Sequence, residues 1–241
     1  MAKGAEEKAL HPLPEDCQAT TEFFDYEHPS VVKYLEENLE PGLPEVERAV
    51  RLYYLVRDGW RYNPYVVKSQ REAFTASYLM TRRQSYCIPK ALLMGALARA
   101  TGIPARLGFG DVMNHLSSPR LVEYLKTDVF AFHGFTELYL EGQWVRCTPA
   151  FDAKLCESFN VEPMEWDGRT DSLFQEFDRG GRQFMECIRY HGVFGDLPYE
   201  WLIEGFRREY PHLTRMHGPE GFALPEGDLI DEAPGQAATV A

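Results

Sequence analysis

Residues 85–106, SYCIPKALLMGALARATGIPAR, place a cysteine directly in front of a strongly apolar helical pattern. From Ile88 to Ala100 the apolar residues occur almost all the way round the helix, which is typical of a buried central helix. Pro89 suits the first turn, because it lacks the N–H that would be unpaired there, and the Gly-Ile-Pro at 102–104 ends the helix. Cys87 is therefore predicted to lie at the start of this helix.

A thiol at the start of a helix is a candidate nucleophile. The positive end of the helix dipole and the unpaired N–H groups of the first turn both favour thiolate over thiol. The alternative is that Cys87 is a small buried hydrophobe, which is the usual role of cysteine in a core. Position alone leaves both interpretations open.

Residues 133–152, HGFTELYLEGQWVRCTPAFD, read as two strands joined at Glu141-Gly142. Strict alternation along the first strand places His133 on one face together with Glu137 and two aromatic residues. A nucleophilic thiol needs a base within hydrogen-bond reach, and a strand histidine that follows a helix-start cysteine can supply it. The pattern therefore favours His133 as the partner of Cys87.

The composition allows one large domain. Of the 241 residues, 44% are apolar and 13% aromatic, and no internal repeat or low-complexity linker interrupts them. We expect an α+β domain over residues 28–217, after an N-terminal arm of residues 1–27 and before an acidic C-terminal tail of residues 218–241.

Charge, cysteine spacing and motif content narrow the expected partners and location. The net charge of −12 argues against nucleic acid or an anionic membrane as a partner. Five cysteines at wide spacings are expected to be thiols, and without C-x-x-C or H-x-x-x-H neither a metal ion nor a cofactor is expected. With no long apolar run and no secretory signal pattern, a cytoplasmic location is expected.

The cysteine helix and the histidine hairpin together resemble the transglutaminase-like superfamily of papain-like cysteine enzymes. In that family a cysteine begins a helix that runs into R-A-x-G-I-P-A-R. A later strand bears H-x-x-x-E-x-Y and lies beside a strand with W-V. In this sequence the match spans roughly residues 45–152. The resemblance implies a papain-like transglutaminase core, in which the helix carrying the cysteine packs on an antiparallel sheet carrying the histidine. It also implies that Cys87 is the nucleophile and His133 the general base.

The family chemistry is attack on a peptide, amide or ester carbonyl, formation of a thioester, and transfer of the acyl group to an amine or to water. Its third residue is an Asp in the pattern W-x-x-x-D-P-T, which orients the imidazole. Here Trp144 is followed by Val-Arg-Cys-Thr-Pro, so Thr148 stands at the position of that Asp. The orienting group must therefore be sought elsewhere.

The hairpin register suggests two candidates. If Glu141-Gly142 is a two-residue loop, Glu137 faces Arg146 and forms a cross-strand ion pair. Thr148 and Asp152 are then the diagonal neighbours of His133 on the same face. We predict that Asp152 orients His133, because only a carboxylate holds the imidazolium by a charge-assisted hydrogen bond, with the Thr148 hydroxyl as the weaker alternative.

Three functions are compatible with these residues. Cysteine-dependent acyl transfer or hydrolysis is favoured by the presence of both Cys87 and His133. A non-catalytic peptide-binding module is favoured by the missing Asp. A biosynthetic amide-forming enzyme would need a basic docking patch, for which an acidic chain gives little support. The acyl donor, the acceptor and the oligomeric state are not indicated by the sequence.

Overall fold

The structure is a computed structural model that describes residues 12–115, 117–213 and 224–233. The helices are α1 (Pro29–Asn38), α2 (Glu45–Gly59), α3 (Ala76–Met80), α4 (Cys87–Ala100), α5 (Pro119–Leu125), α6 (Ala153–Ser158) and α7 (Tyr199–Glu209). The strands are β1 (Arg61–Tyr62), β2 (Gln84–Ser85), β3 (Ala105–Asn114), β4 (Val129–Leu140), β5 (Gln143–Cys147) and β6 (Met185–Phe194). The predicted α+β fold class is confirmed.

Four strands form one antiparallel sheet in the order β5-β4-β3-β6, while β1 and β2 make a short parallel pair. Strands β4 and β5 pair over residues 136–140 and 143–147, in the register that the two-residue loop predicted. Glu141 and Gly142 both have positive φ, 49° and 87°, as a type I′ turn requires. Strand β5 ends before it reaches the level of His133, which leaves that part of β4 without a β5 neighbour.

Helix α4 is buried on nearly every side, as its sequence predicted. It packs on β4, where the Thr136 hydroxyl donates to the Ala91 carbonyl at 2.7 Å. Gly134 allows the closest approach, because a Cβ there would lie 2.9 Å from Ile88 Cα. Although α4 is apolar, its 14 residues are too few to cross a bilayer, and in the described ranges no helix has the length and apolarity to do so.

Lys90 ties the start of α4 to the end of α2. Its fully buried amino group donates to the carbonyls of Arg57 and Trp60, at 2.8 and 2.6 Å, and burial lowers its pKa to about 7. A cation is favourable at a helix C-terminus, where the last carbonyls lack intrahelical partners. The contact fixes the helix that begins at Cys87 against its neighbour.

The described parts of both predicted terminal segments pack into the domain, which corrects the expectation of a separate arm and tail. Phe23 and Phe24 are buried in the main core, and the Phe24 ring lies against Gly95 of α4. Leu229 and Ile230 are buried in the same core. The long-range contacts that hold these segments leave no periodic signal in the sequence. Residues 1–11, 214–223 and 234–241 lie outside the described residues.

Candidate active site

Cys87 is the first residue of α4, where the preceding Tyr86 has an extended backbone and acts as the N-cap. Burial raises the pKa of the Cys87 thiol to about 11, although the backbone N–H groups of Gly134 and Ile88 favour the thiolate and lower the pKa. The helix start therefore supplies the expected N–H donors, but burial raises the pKa of the thiol by more than these donors lower it. Near neutral pH the group is a thiol.

His133 lies on β4 with 6% of its surface exposed. Burial lowers the pKa of its imidazole to about 4, so the ring is neutral near pH 7. Its Nε2 is buried and has no hydrogen-bond partner among the described residues. A neutral imidazole with an unoccupied ring nitrogen can accept a proton.

Cys87 and His133 line the same pocket, so the structure brings the two predicted residues together. Most of the other lining side chains are aromatic or aliphatic, among them Tyr62, Phe130, Phe206 and Tyr210. No hydrogen bond joins the sulfur to the imidazole in the described part of the chain. His133 is buried, whereas Cys87 is partly exposed.

No hydrogen bond joins Asp152 to His133 among the described residues, in contrast to the contact predicted from the sequence. Its Oδ2 accepts the Tyr62 N–H at 2.8 Å and its Oδ1 accepts the Leu155 N–H at 3.0 Å, which caps helix α6. The register argument failed because β5 ends at Cys147 and the chain then leaves the sheet. The predicted diagonal contact with His133 therefore does not form.

Thr148, at the position of the family Asp, lines a small pocket together with His133. Its hydroxyl oxygen is buried and has no hydrogen-bond partner among the described residues, like Nε2 of His133. Two unpartnered polar groups thus share one apolar pocket. Neither candidate orienting residue holds the imidazole in this structure.

Glu137 has the structural role that the hairpin register predicted. Its carboxylate accepts from Arg146 at 2.8 Å across the β4–β5 pair, and from Arg106 of β3 at 2.6 Å on the other side. The carboxylate is 1% exposed and its two oxygens are engaged by two guanidinium groups. It is therefore unavailable to His133.

The backbone immediately before His133 has an unusual conformation that the sequence analysis did not anticipate. Phe132 has φ of +59°, which is rare for a bulky residue, and a β-bulge shifts the β3–β4 register at this point. The buried carboxylate of Asp111 accepts the Phe132 N–H at 3.0 Å and contacts His191 Nε2 at 2.7 Å. An acidic residue inside the apolar strand pattern RLGFGDV was the available signal. Asp111 holds the bulge from which His133 projects.

Comparisons with known proteins give a family match and a solved structure. Residues 33–149 match the family model of the transglutaminase-like superfamily. A solved structure from Cytophaga hutchinsonii, assigned provisionally as a cysteine protease, is 16% identical with a TM-score of 0.41, and the alignment covers 79% of this chain and 57% of that protein's chain. No curated protein matches the sequence. Because the matched residues include the cysteine helix and the histidine strand, this part of the chain is similar to the transglutaminase-like superfamily.

Proposed function

We propose that the protein is a cysteine-dependent enzyme that cleaves or transfers an acyl group at an amide or ester, with Cys87 as nucleophile and His133 as general base. The observation that carries this proposal is the shared pocket, which is lined by both the thiol at the start of α4 and the His133 imidazole, whose Nε2 has no partner among the described residues. The substrate would be a peptide, amide or ester. The cytoplasmic location expected from the sequence stays a prediction.

The reaction would begin from neutral groups. As the Cys87 sulfur attacks the carbonyl carbon, the thiol proton passes to His133 and the carbonyl oxygen becomes an oxyanion. The backbone N–H groups of Ile88 and Gly134, which favour a negative charge on the sulfur, would stabilise that oxyanion in this proposal. Collapse of the intermediate expels the amine or alcohol, which takes the proton from the imidazolium and leaves a thioester on Cys87.

The second half of the reaction releases the acyl group. Water or an amine attacks the thioester while His133 removes its proton, and the thiolate leaves and is reprotonated. The pocket is apolar, and a second cavity that meets it at His133 is lined by Phe151, Leu155 and Phe184. These walls suit an apolar group beside the reacting carbonyl. Hydrolysis and transfer differ only in which nucleophile enters.

A second candidate function is a binding module that holds a peptide in the same pocket without turnover. The observation in its favour is that burial keeps both groups neutral and that, among the described residues, no carboxylate shifts the pKa of the imidazole. Without an acid to stabilise it, the imidazolium is costly to form. The two functions make opposite predictions about a covalent adduct.

The test is intact-mass spectrometry after incubation with a panel of activated esters, thioesters and peptide amides. The enzyme proposal predicts an acyl adduct on wild type that is absent from Cys87→Ala, with turnover lost in the same variant. Cys147→Ala is the matched control, because Cys147 is a fully buried thiol away from the pocket. Equal turnover in wild type and Cys87→Ala would reject the enzyme, and ligand binding without any adduct would favour the binding module.

A further inference from the structure

A large groove neighbours the Cys87 pocket, with which it shares Tyr86. It has a volume of about 500 Å³ and is lined by the 66–68 loop, α3 and residues 81–86. Tyr86 lines both the groove and the Cys87 pocket. A ligand in the groove would therefore lie next to the reacting thiol.

The groove is positively charged within a strongly acidic chain. Lys68, Arg82 and Arg83 line it, and no carboxylate does. None of the three forms an ion pair with any residue that the structure describes, whereas the net charge of the whole chain is −12. The Arg82 guanidinium stacks 4.6 Å from the centre of the Tyr78 ring, which restricts its position at the rim.

Asp228, an acid that contacts a side chain of the groove wall, is already engaged. Asp228 accepts from Arg61 and from the Gln84 side chain, which lines the groove, so its charge is compensated outside the groove. At the inner wall, Tyr86 is 7% exposed and its hydroxyl is buried without a hydrogen-bond partner among the described residues. A buried hydroxyl without a hydrogen-bond partner is energetically costly. A ligand oxygen that accepted a hydrogen bond from the Tyr86 hydroxyl would remove this cost.

We propose that this groove binds the carboxylates of an acidic peptide segment that belongs to the acyl substrate. The inference rests on the proposed function, because it places the reacting carbonyl at Cys87. Arg83 precedes Cys87 by four residues, and four residues span at most about 14 Å. An extended peptide covers the same distance in about four residues, so the acidic side chains lie up to about four positions from the reacting carbonyl.

The experiment measures binding without chemistry, on full-length protein carrying Cys87→Ala. Two fluorescein-labelled peptides of equal length, one containing a run of glutamates and the other glutamines at the same positions, are titrated by fluorescence anisotropy. We expect the glutamate peptide to bind about tenfold more tightly at low salt, and the difference to shrink as ionic strength rises. Arg82→Gln with Arg83→Gln should abolish the preference.

The matched control removes two exposed cations elsewhere, Arg51→Gln with Lys154→Gln, and should leave the preference intact. Equal affinity for both peptides, or an unchanged preference in the Arg82/Arg83 variant, would overturn the proposal. Tighter binding of inorganic phosphate than of the glutamate peptide would overturn the carboxylate assignment.

Different results test the proposed catalytic function and the proposed peptide binding in the groove. If wild type forms no acyl adduct but the groove variant loses peptide binding, the groove proposal stands without catalysis. In an active enzyme, Arg82→Gln with Arg83→Gln should raise KM for a glutamate-bearing ester about tenfold and leave kcat unchanged. A fall in kcat with unchanged KM would contradict a binding role.

Discussion

A carboxylate at residue 148 should activate the Cys87–His133 pair. In the structure the pKa of the thiol is about 11 and that of the imidazole about 4. Moving a proton from thiol to imidazole across this gap costs on the order of 10 kcal/mol. Attraction between the resulting charges recovers about 4 kcal/mol at roughly 4 Å and an effective dielectric constant of about 20. The neutral pair therefore dominates at rest.

Thr148→Asp places an acid in a pocket that His133 also lines. A carboxylate next to a cationic partner shifts a pKa by about 1–3 units, here upwards for the imidazole. The population of the thiolate–imidazolium pair, and with it the rate of Cys87 alkylation near neutral pH, should rise roughly 10- to 1000-fold. Thr148→Asn is the control of similar size without charge.

The assay is the rate of Cys87 alkylation by iodoacetamide from acidic to alkaline pH, with peptide mapping to confirm the site. Wild type should react mainly in the alkaline range, where the thiol titrates, and Thr148→Asp should gain reactivity at neutral pH. The imidazole pKa, followed by NMR, should rise in the same variant. Identical profiles for folded Thr148→Asp and Thr148→Asn would refute the reasoning.

Three further changes follow from the site geometry. Asp152→Ala removes the cap of α6 and leaves the Tyr62 N–H unpaired, so urea denaturation should show a loss of roughly 2–4 kcal/mol while the pH profile of Cys87 alkylation is unchanged. His133 has a folded-state pKa below its ordinary value, so the unfolded state binds more protons between about pH 6.5 and 4 and stability falls on acidification, by on the order of 3 kcal/mol. His133→Asn should lack that loss in urea midpoints measured at both ends of the window, and an equal loss in both proteins would contradict the assignment. Gly134→Ala would set a Cβ 2.9 Å from Ile88 Cα, so the start of α4 must shift. Thermal unfolding should show that the variant is less stable by about 1–3 kcal/mol. The rate of Cys87 alkylation should also change, because Cys87 begins α4.

The parts of the fold that sequence predicted are those set by local pattern. An apolar run bounded by Pro89 and by Gly-Ile-Pro defines α4 without reference to distant residues. The β4–β5 register follows from one two-residue turn, because a type I′ loop leaves no freedom in how the strands pair. The Glu137–Arg146 contact is a direct consequence of that register. The same local pattern correctly predicted that Cys87 lies at the start of the helix.

Where the prediction failed, the deciding contacts join residues far apart in the chain. Asp152 was assigned by continuing the hairpin register past Pro149, but its carboxylate instead bonds to Tyr62, ninety positions away. The pKa of the thiol was expected to be low from the helix dipole alone. Burial by aromatic side chains from several segments raises the pKa instead of lowering it. No local sequence pattern encodes that burial.

Asp111 should act as a positioning residue for His133. Its carboxylate accepts the Phe132 N–H at the bulge, where a bulky residue is held at φ +59°, a conformation that costs about 1–3 kcal/mol. Asp111→Ala removes that acceptor, so the bulge should relax towards ordinary strand geometry and carry His133 away from Cys87. We expect a tenfold or greater fall in the rate of Cys87 acylation and a changed imidazole pKa, with the fold kept by circular dichroism. Arg189→Gln is the control, because Arg189 contacts the same carboxylate at 3.6 Å from an exposed position and should matter little. A merely structural role for Asp111 would lower stability and leave the imidazole pKa unmoved, and that result would reject the positioning role.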